Sequence, residues 1–163
     1  MRIFTRETVW GEEIVETIIA RLELYEGLAY LQAMQKFEGQ IVENIRLDGD
    51  GHLLVSHRFA QEVQQYLTVL DANGDNLGIL AQVPTATRAE LEVALPGRAL
   101  FKVPGALLVF NLDEATAPFP QAYFPTLGWP SEILVEGRDI LFAAGRYGIY
   151  EFNLDEFNLI SLF

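Results

Sequence analysis

The sequence of 163 residues contains no cysteine, only two lysines and only two histidines. Without cysteine, disulfide bonds and thiolate metal sites are excluded. Acidic residues outnumber basic ones by 23 to 11, which gives a formal net charge of −12. No basic cluster is present, so a phosphate backbone would be repelled and nucleic-acid binding is not expected. Anionic membrane surfaces are disfavoured for the same reason.

Long apolar runs are also missing from the sequence. No segment approaches the roughly 18 apolar residues of a membrane span, so membrane insertion is not expected. The opening residues, MRIFTRETVWGEEIV, lack the uninterrupted apolar core of a secretion signal. Two interpretations of the compartment therefore stay open: a cytoplasmic protein, or a mature form or fragment whose export signal lies elsewhere.

The composition is that of a chain that forms a core. Half of the residues are apolar and 12% are aromatic, which is typical of a globular domain and not of a disordered chain. A chain of this length is long enough for one domain that buries roughly 70% of its unfolded surface.

The chain repeats itself with a period of about 42 residues. The motif FNLDE occurs at 110–114 and again at 152–156, and YLTVLD at 66–71 places an aspartate in the same phase. Gly-Arg recurs at 97–98 and 137–138, and Pro-Thr recurs at 84–85 and 125–126. A fixed period of about 40 to 45 residues is typical of propeller blades.

Each repeat divides into four short strands separated by turn residues. The predicted strands are 42–47, 52–59, 66–70 and 77–83 in the first unit, 89–95, 98–103, 106–112 and 121–124 in the middle unit, and 132–136, 139–144, 148–154 and 158–163 in the last. In the last unit Tyr150, Phe152 and Leu154 share one face of a strand, and the other face is half apolar. Such a sheet must be covered on both sides, as stacked blades are.

Residues 1–40 do not fit the period. Alternation over 17–24 and in part of 28–34, around Glu26-Gly27, predicts a hairpin or partial blade that serves ring closure or partner contact. An amphipathic helix over 12–23 is an alternative, because that stretch lacks proline and glycine. The sequence thus predicts one all-β, propeller-like domain of about three four-stranded antiparallel blades, at approximately 41–86, 87–128 and 129–163, preceded by the hairpin. A small closed barrel is a third arrangement.

The segment from Leu107 to Asp155 resembles the LVIVD-type propeller repeat. The shared pattern is an apolar strand that ends in aspartate, a proline-containing turn, a further strand, an AxG sequence and then GLxIxD. In this chain Ala144-Gly145, Gly148-Ile149-Tyr150 and Leu154-Asp155 carry the pattern. The resemblance covers 45–163, departs from the pattern at 56–65 and does not extend to 1–40. It implies cell-surface or exported proteins that display proteins or ligands, and it implies no shared catalytic residue.

Three blades fall short of the roughly four to eight blades of a complete ring. Unpaired apolar edges would favour association. We therefore expect self-association or pairing with another propeller segment, in which a second copy or a longer polypeptide completes the ring.

One loop has residues suited to a cation. Asp71, Asn73 and Asp75 resemble the opening of a calcium loop, but Asn76 and Gln82 stand where such a loop requires glycine and a bidentate acid. A hairpin rich in turn-forming residues is the favoured interpretation, and these three residues are weak metal candidates. No metal or other cofactor is predicted.

Three aspartates share one phase of the repeat: Asp71, Asp113 and Asp155. An aspartate that ends a strand can accept hydrogen bonds from backbone N–H groups two residues on and so fix the turn. A structural turn role is therefore predicted for all three.

No catalytic residue is predicted. His52 and His57 lie on opposite faces of a strand, so they cannot share a metal. No serine stands in a G-x-S-x-G nucleophile pattern. The chain is more in keeping with a non-enzymatic module for protein–protein interaction or scaffolding. The alternative is a carbohydrate-binding or glycoside-hydrolase-type propeller with acidic residues at the channel mouth and Trp129 or Tyr147 as a ligand-binding platform.

Overall fold

The computed structural model describes residues 2–9, 12–126, 128–137, 139–143, 148–154 and 159–162. Within these ranges fifteen strands form one three-stranded and three four-stranded antiparallel sheets. The prediction of an all-β chain with four-stranded antiparallel sheets is confirmed. No helix in this part of the chain is long and apolar enough to cross a membrane.

Consecutive strands are neighbours in every sheet. Sheet I contains β1 (Arg2–Val9), β2 (Glu12–Tyr25) and β3 (Leu28–Glu38). Sheet II contains β4 (Gln40–Leu47), β5 (His52–Phe59), β6 (Gln65–Asp71) and β7 (Ile79–Pro84). Sheet III contains β8 (Glu90–Leu95), β9 (Arg98–Val103), β10 (Ala106–Asn111) and β11 (Phe119–Pro125). Sheet IV contains β12 (Glu132–Glu136), β13 (Asp139–Ala143), β14 (Ile149–Asn153) and β15 (Leu159–Leu162).

Sheet I has one strand more than the sequence pattern predicts. β2 and β3 pair as a hairpin around Glu26-Gly27, and the alternative of a helix over 12–23 is wrong because these residues form most of β2. β1 pairs with β2 from Val9 opposite Glu12 to Arg2 opposite Ile19. The pattern misses β1 because charged and apolar residues do not alternate in the sequence RIFTRETV.

The geometry of the turn between β2 and β3 accounts for the residues found there, Glu26 and Gly27. Glu26 and Gly27 both have positive φ, 49° and 79°. Two such residues form the type I′ turn whose twist matches that of the flanking strands. The sharp turn lets two long strands pair over their whole length.

The four sheets stack face to face in chain order. Sheet I packs on sheet II through a core that includes Ile19, Phe37, Val55 and Leu70. Sheets II and III share the cluster that contains Leu54, Leu67, Val69, Leu91, Phe101 and Phe110. Sheets III and IV share the cluster that contains Leu100, Leu107, Val109, Ile140, Tyr150 and Phe152. Because adjacent residues of a strand point to opposite faces, Leu54 and Val55 lie in different cores, and sheets II and III are each covered on both sides.

The connection between sheets I and II is a single residue, Gly39, with φ of 66°. Its N–H donates to the carbonyl of Val15 at 2.8 Å, and its carbonyl accepts from the N–H of Ala60 at 2.9 Å. The chain therefore passes directly from β3 onto the first strand of sheet II.

Hydrogen-bonded ladders between the described strands stay within each sheet. A small closed barrel requires continuous pairing from unit to unit, so that alternative is wrong for these strands. Side chains join neighbouring sheets instead: the Nε–H of Arg46 in β4 donates to the carbonyl of Glu92 in β8 at 3.0 Å.

Candidate functional site

The β2–β3 hairpin extends beyond the rest of the molecule. β1 accompanies β2 only as far as Ile19, and from Leu22 onward the described pairing is between β2 and β3 alone. Residues 23–32 are all exposed. At about 3.3 Å per residue, the ribbon carries its turn roughly 13 Å beyond Arg21. Residues 22–31 are called the projecting hairpin below.

Both faces of the projecting hairpin are apolar. Leu22 lies opposite Leu31 and Leu24 opposite Ala29 on one face, and Tyr25 lies opposite Leu28 on the other. The exposed fraction is 79% for Leu24, 61% for Tyr25 and 58% for Leu31. Contiguous exposed apolar surface of this kind marks interaction sites in soluble proteins.

A pocket of about 340 Å³ opens at the base of the projecting hairpin, between sheets I and II. Its walls are mainly apolar and include Ile19 from β2, Ile45 from β4, Leu53 from β5 and Leu77 from the loop after β6. This is within the size range of small-molecule sites. It is called the hairpin pocket below.

Arg21 is the charged side chain in the wall of the hairpin pocket. Its Nη1 donates to the carbonyl of Ala72 at 2.6 Å and to that of Gly74 at 2.9 Å. These two bonds clamp β2 to the loop after β6 and fix the guanidinium in one orientation.

Asp71 holds the same loop in shape. Its Oδ1 accepts hydrogen bonds from the backbone N–H groups of Asn73 and Gly74, both at 2.9 Å. This is the turn interaction expected of a strand-ending aspartate. Asn73 and Asp75 are exposed, and the described residues contain no group of three or more histidine or acidic side chains placed to hold a metal. The calcium interpretation stays a weak prediction.

The loop before β5 packs beside this one. Asp48 is almost fully buried and accepts hydrogen bonds from the backbone N–H groups of Asp50 and His52 at 2.8 and 3.0 Å. Its Oδ2 lies 2.8 Å from Nδ1 of His52. A Cβ on Gly51 would lie 1.8 Å from Nδ2 of Asn73. Gly51 also has a φ of 92°, which residues with a Cβ rarely adopt, so the backbone conformation favours glycine where the two loops touch.

Asp113 fixes its turn differently from the prediction. Its carboxylate accepts from Nη1 of Arg98 at 2.7 Å and from Nδ2 of Asn111 at 2.9 Å, while its N–H donates to Oδ1 of Asn111 at 2.9 Å. The described bonds of the carboxylate thus go to side chains, not to backbone N–H groups. The hydrogen bond from Arg98, and then that from Asn111, lowers the pKa of the Asp113 carboxyl. Asp155, the third of these aspartates, lies outside the described residues.

His57 is buried between sheets I and II. Its ring stacks on Tyr66, with centroids 5.7 Å apart, and lies 5.3 Å from the ring of Phe37. Nε2 lies 2.7 Å from the hydroxyl of Thr68, which donates to Gln82 at 3.3 Å. That hydroxyl must therefore accept from His57, so Nε2 carries the proton. Nδ1 is buried and has no hydrogen-bond partner among the described residues, and burial lowers the pKa of His57 to about 4.

Of the two residues predicted to contact a ligand, Trp129 and Tyr147, the structure describes only the first. Trp129 lies in the connection between β11 and β12, and 39% of it is exposed. This exposure is compatible with stacking on a sugar or a partner, and its ligand-binding role stays a prediction. Tyr147 lies outside the described residues.

The hairpin pocket was not among the predicted sites. Its walls come from three strands and a loop, and only the stacking of sheet I on sheet II brings them together. The projecting hairpin does have a signal in the sequence: LELYEGLAYL at 22–31 places leucine or tyrosine on both faces of a strand pair. A hairpin with one face on a core shows apolar residues on that face alone.

The fold and the site define an all-β protein of stacked antiparallel sheets with an exposed apolar hairpin and a pocket at its base. The chain matches no protein-family model and no curated protein.

Proposed function

We propose that this chain is a non-enzymatic β-propeller module, built from LVIVD-type blades, that acts in protein–protein interaction or scaffolding as part of a larger ring or assembly. The observation that carries the proposal is the projecting hairpin, with its large apolar side chains exposed on both faces.

The projecting hairpin gains stability when a partner covers it. A two-stranded hairpin without cover is at best marginally stable in water. In this one Leu24, Tyr25, Leu28 and Leu31 would remain hydrated. Burying a leucine side chain is worth about 1.5–3 kcal/mol, so a partner that covers the ribbon gains several such contributions at once.

The partner in this proposal is a second copy of the chain or another propeller segment. The molecule already buries sheet against sheet, and both ends of its stack carry exposed apolar side chains. At the far end, Leu134 and Ile149 on sheet IV are 62% and 45% exposed. A further stack laid against these ends continues the same packing toward the roughly four to eight blades of a ring.

A pair of surface variants tests the proposal by light scattering coupled to size-exclusion chromatography. In L24S/L31S the hairpin keeps its backbone pairing but loses apolar surface, so we expect assemblies to shift to the 18.3 kDa monomer. The matched control is V63S, which removes an equally exposed apolar side chain (78%) from the turn between β5 and β6. Assembly that persists in L24S/L31S, with an unchanged circular dichroism spectrum, would contradict the proposal.

A further inference from the structure

The hairpin pocket combines apolar walls with one fixed cation. Its volume of about 340 Å³ is sufficient for a small organic molecule, and sites for such molecules are typically apolar with a few fixed polar groups. Ile19 and Leu77 are buried, and Ile45 and Leu53 are half-buried. These side chains form a surface for an apolar body, while Arg21 stands in the same wall.

The donors of Arg21 are only partly used. Both of its described hydrogen bonds come from Nη1. Within the described residues it forms no ion pair, and its Nε–H and Nη2 groups have no hydrogen-bond partner, although the chain carries a net charge of −12. Nε–H and Nη2–H lie on one edge of the planar guanidinium, and this edge matches the two oxygens of a carboxylate.

The edge of the Arg21 guanidinium that carries Nε–H and Nη2–H is oriented before any ligand binds. The carbonyls that hold Nη1 belong to the loop that Asp71 shapes through the N–H groups of Asn73 and Gly74. A half-buried guanidinium that is already fixed loses little side-chain freedom when it binds, and this favours affinity.

We propose that the hairpin pocket binds a small amphiphile with an anionic head of the carboxylate type and an apolar body. The head pairs with Nε–H and Nη2–H of Arg21, and the body lies on Ile19, Ile45, Leu53 and Leu77. This site is independent of the association proposed above, because it uses the base of the hairpin and not its tip.

Three probes with the same eight-carbon body test the head group by isothermal titration calorimetry: octanoate, octanol and octylammonium. We expect octanoate to bind with one site per chain and at least about tenfold more tightly than octanol, because its carboxylate accepts charge-assisted hydrogen bonds from the guanidinium. Octylammonium should bind more weakly than octanol. Equal affinity for the three probes, or no binding of octanoate, would overturn the proposal.

Substitutions in the wall of the hairpin pocket test whether octanoate binds there. R21M keeps the length of the side chain but removes its charge, and it should abolish the preference for octanoate over octanol. R21K keeps the charge and should retain part of the preference, which covers the case in which R21M does not fold. L47W adds bulk to the pocket wall at an exposed position and should weaken octanoate binding at least about tenfold.

L24S/L31S is the control that separates the two proposals. It should bind octanoate as the wild type does, even where it prevents association. Octanoate binding that is lost in L24S/L31S but kept in R21M would place the ligand on the hairpin tip and would overturn the assignment of the pocket.

Discussion

His57 is the residue whose protonation the fold most clearly opposes. The ring lies between sheets I and II against Phe37 and Tyr66. Its Nδ1 has no hydrogen-bond partner in the part of the chain that the structure describes. Protonation would place a charge at Nδ1 in this interior, so burial favours the neutral form. The same burial separates the ring from solvent.

Acid should therefore destabilise the protein through His57. Its folded pKa, about 4, lies below the ordinary value of about 6.5. Between these values the unfolded state binds a proton that the folded state does not, so stability is intact above pH 6.5 and falls as the pH decreases toward 4. Between pH 7.5 and pH 5 the expected loss is about 2 kcal/mol.

Urea unfolding at the two pH values measures this loss. H57Q serves as the reference, because it cannot be protonated and its amide can still donate to Thr68. The pH dependence that remains in H57Q comes from other groups. If the wild type and H57Q lose stability equally on acidification, the explanation based on His57 does not hold.

Strands are the elements that the sequence predicts best. The four strands of each repeat begin and end within two residues of their predicted bounds wherever the structure describes those bounds. The reason is local: Pro-Gly, Asn-Gly and Asp-Gly pairs end strands, and alternation such as that of Tyr150, Phe152 and Leu154 fixes the face.

The candidate site was predictable only in its turn residues. Asp71 is recognisable because its hydrogen bonds reach two and three residues along the chain. Arg21, by contrast, reads as an ordinary polar position in an alternating strand, and its acceptors lie 51 and 53 residues away. Contacts of this range depend on how sheet I lies on sheet II, which no local pattern encodes.

The loop after β6 should depend on the carboxylate of Asp71. D71A removes the acceptor for two backbone N–H groups and should destabilise the chain by about 1–2 kcal/mol. D71N keeps an acceptor oxygen at the same place and should restore most of the loss. Urea unfolding of both variants is the measurement, and a D71A variant as stable as the wild type would contradict the role assigned to this side chain.

The loop after β6 also links the stability of the chain to ligand binding in the hairpin pocket. Because Asp71 shapes the segment whose carbonyls hold Arg21, D71A should weaken octanoate binding as well, whereas a change at Asp113 in the next sheet should not. Asp71 shapes the turn, and Arg21 is the residue proposed to bind the ligand. The two hydrogen bonds from Nη1 of Arg21 to the loop connect these roles.

At the scale of the whole molecule, the chain is a stack of sheets. The inner strands of its two middle sheets are covered on both faces, whereas its two ends carry exposed apolar side chains. Leu54 and Val55, or Leu100 and Phe101, illustrate the covered state: neighbouring residues each lie in a different core. The ends instead carry the projecting hairpin on sheet I and exposed Leu134 on sheet IV. Burial of these ends is the driving force for the proposed association.

The net charge of the chain makes the proposed association depend on the salt concentration. A net charge of −12 opposes the approach of two copies through repulsion that salt screens over about 10 Å at 0.1 M. Apolar burial does not weaken with salt in this way. Association should therefore strengthen as the ionic strength rises.

The molar mass of the unmodified chain in solution, measured by light scattering over a range of protein concentrations at 0.15 M salt, tests the central claim most directly. A mass of two or more times 18.3 kDa, rising with concentration toward a limiting value, is the predicted result. A constant mass of 18.3 kDa at all concentrations would contradict the claim that this stack completes itself with further copies of the chain.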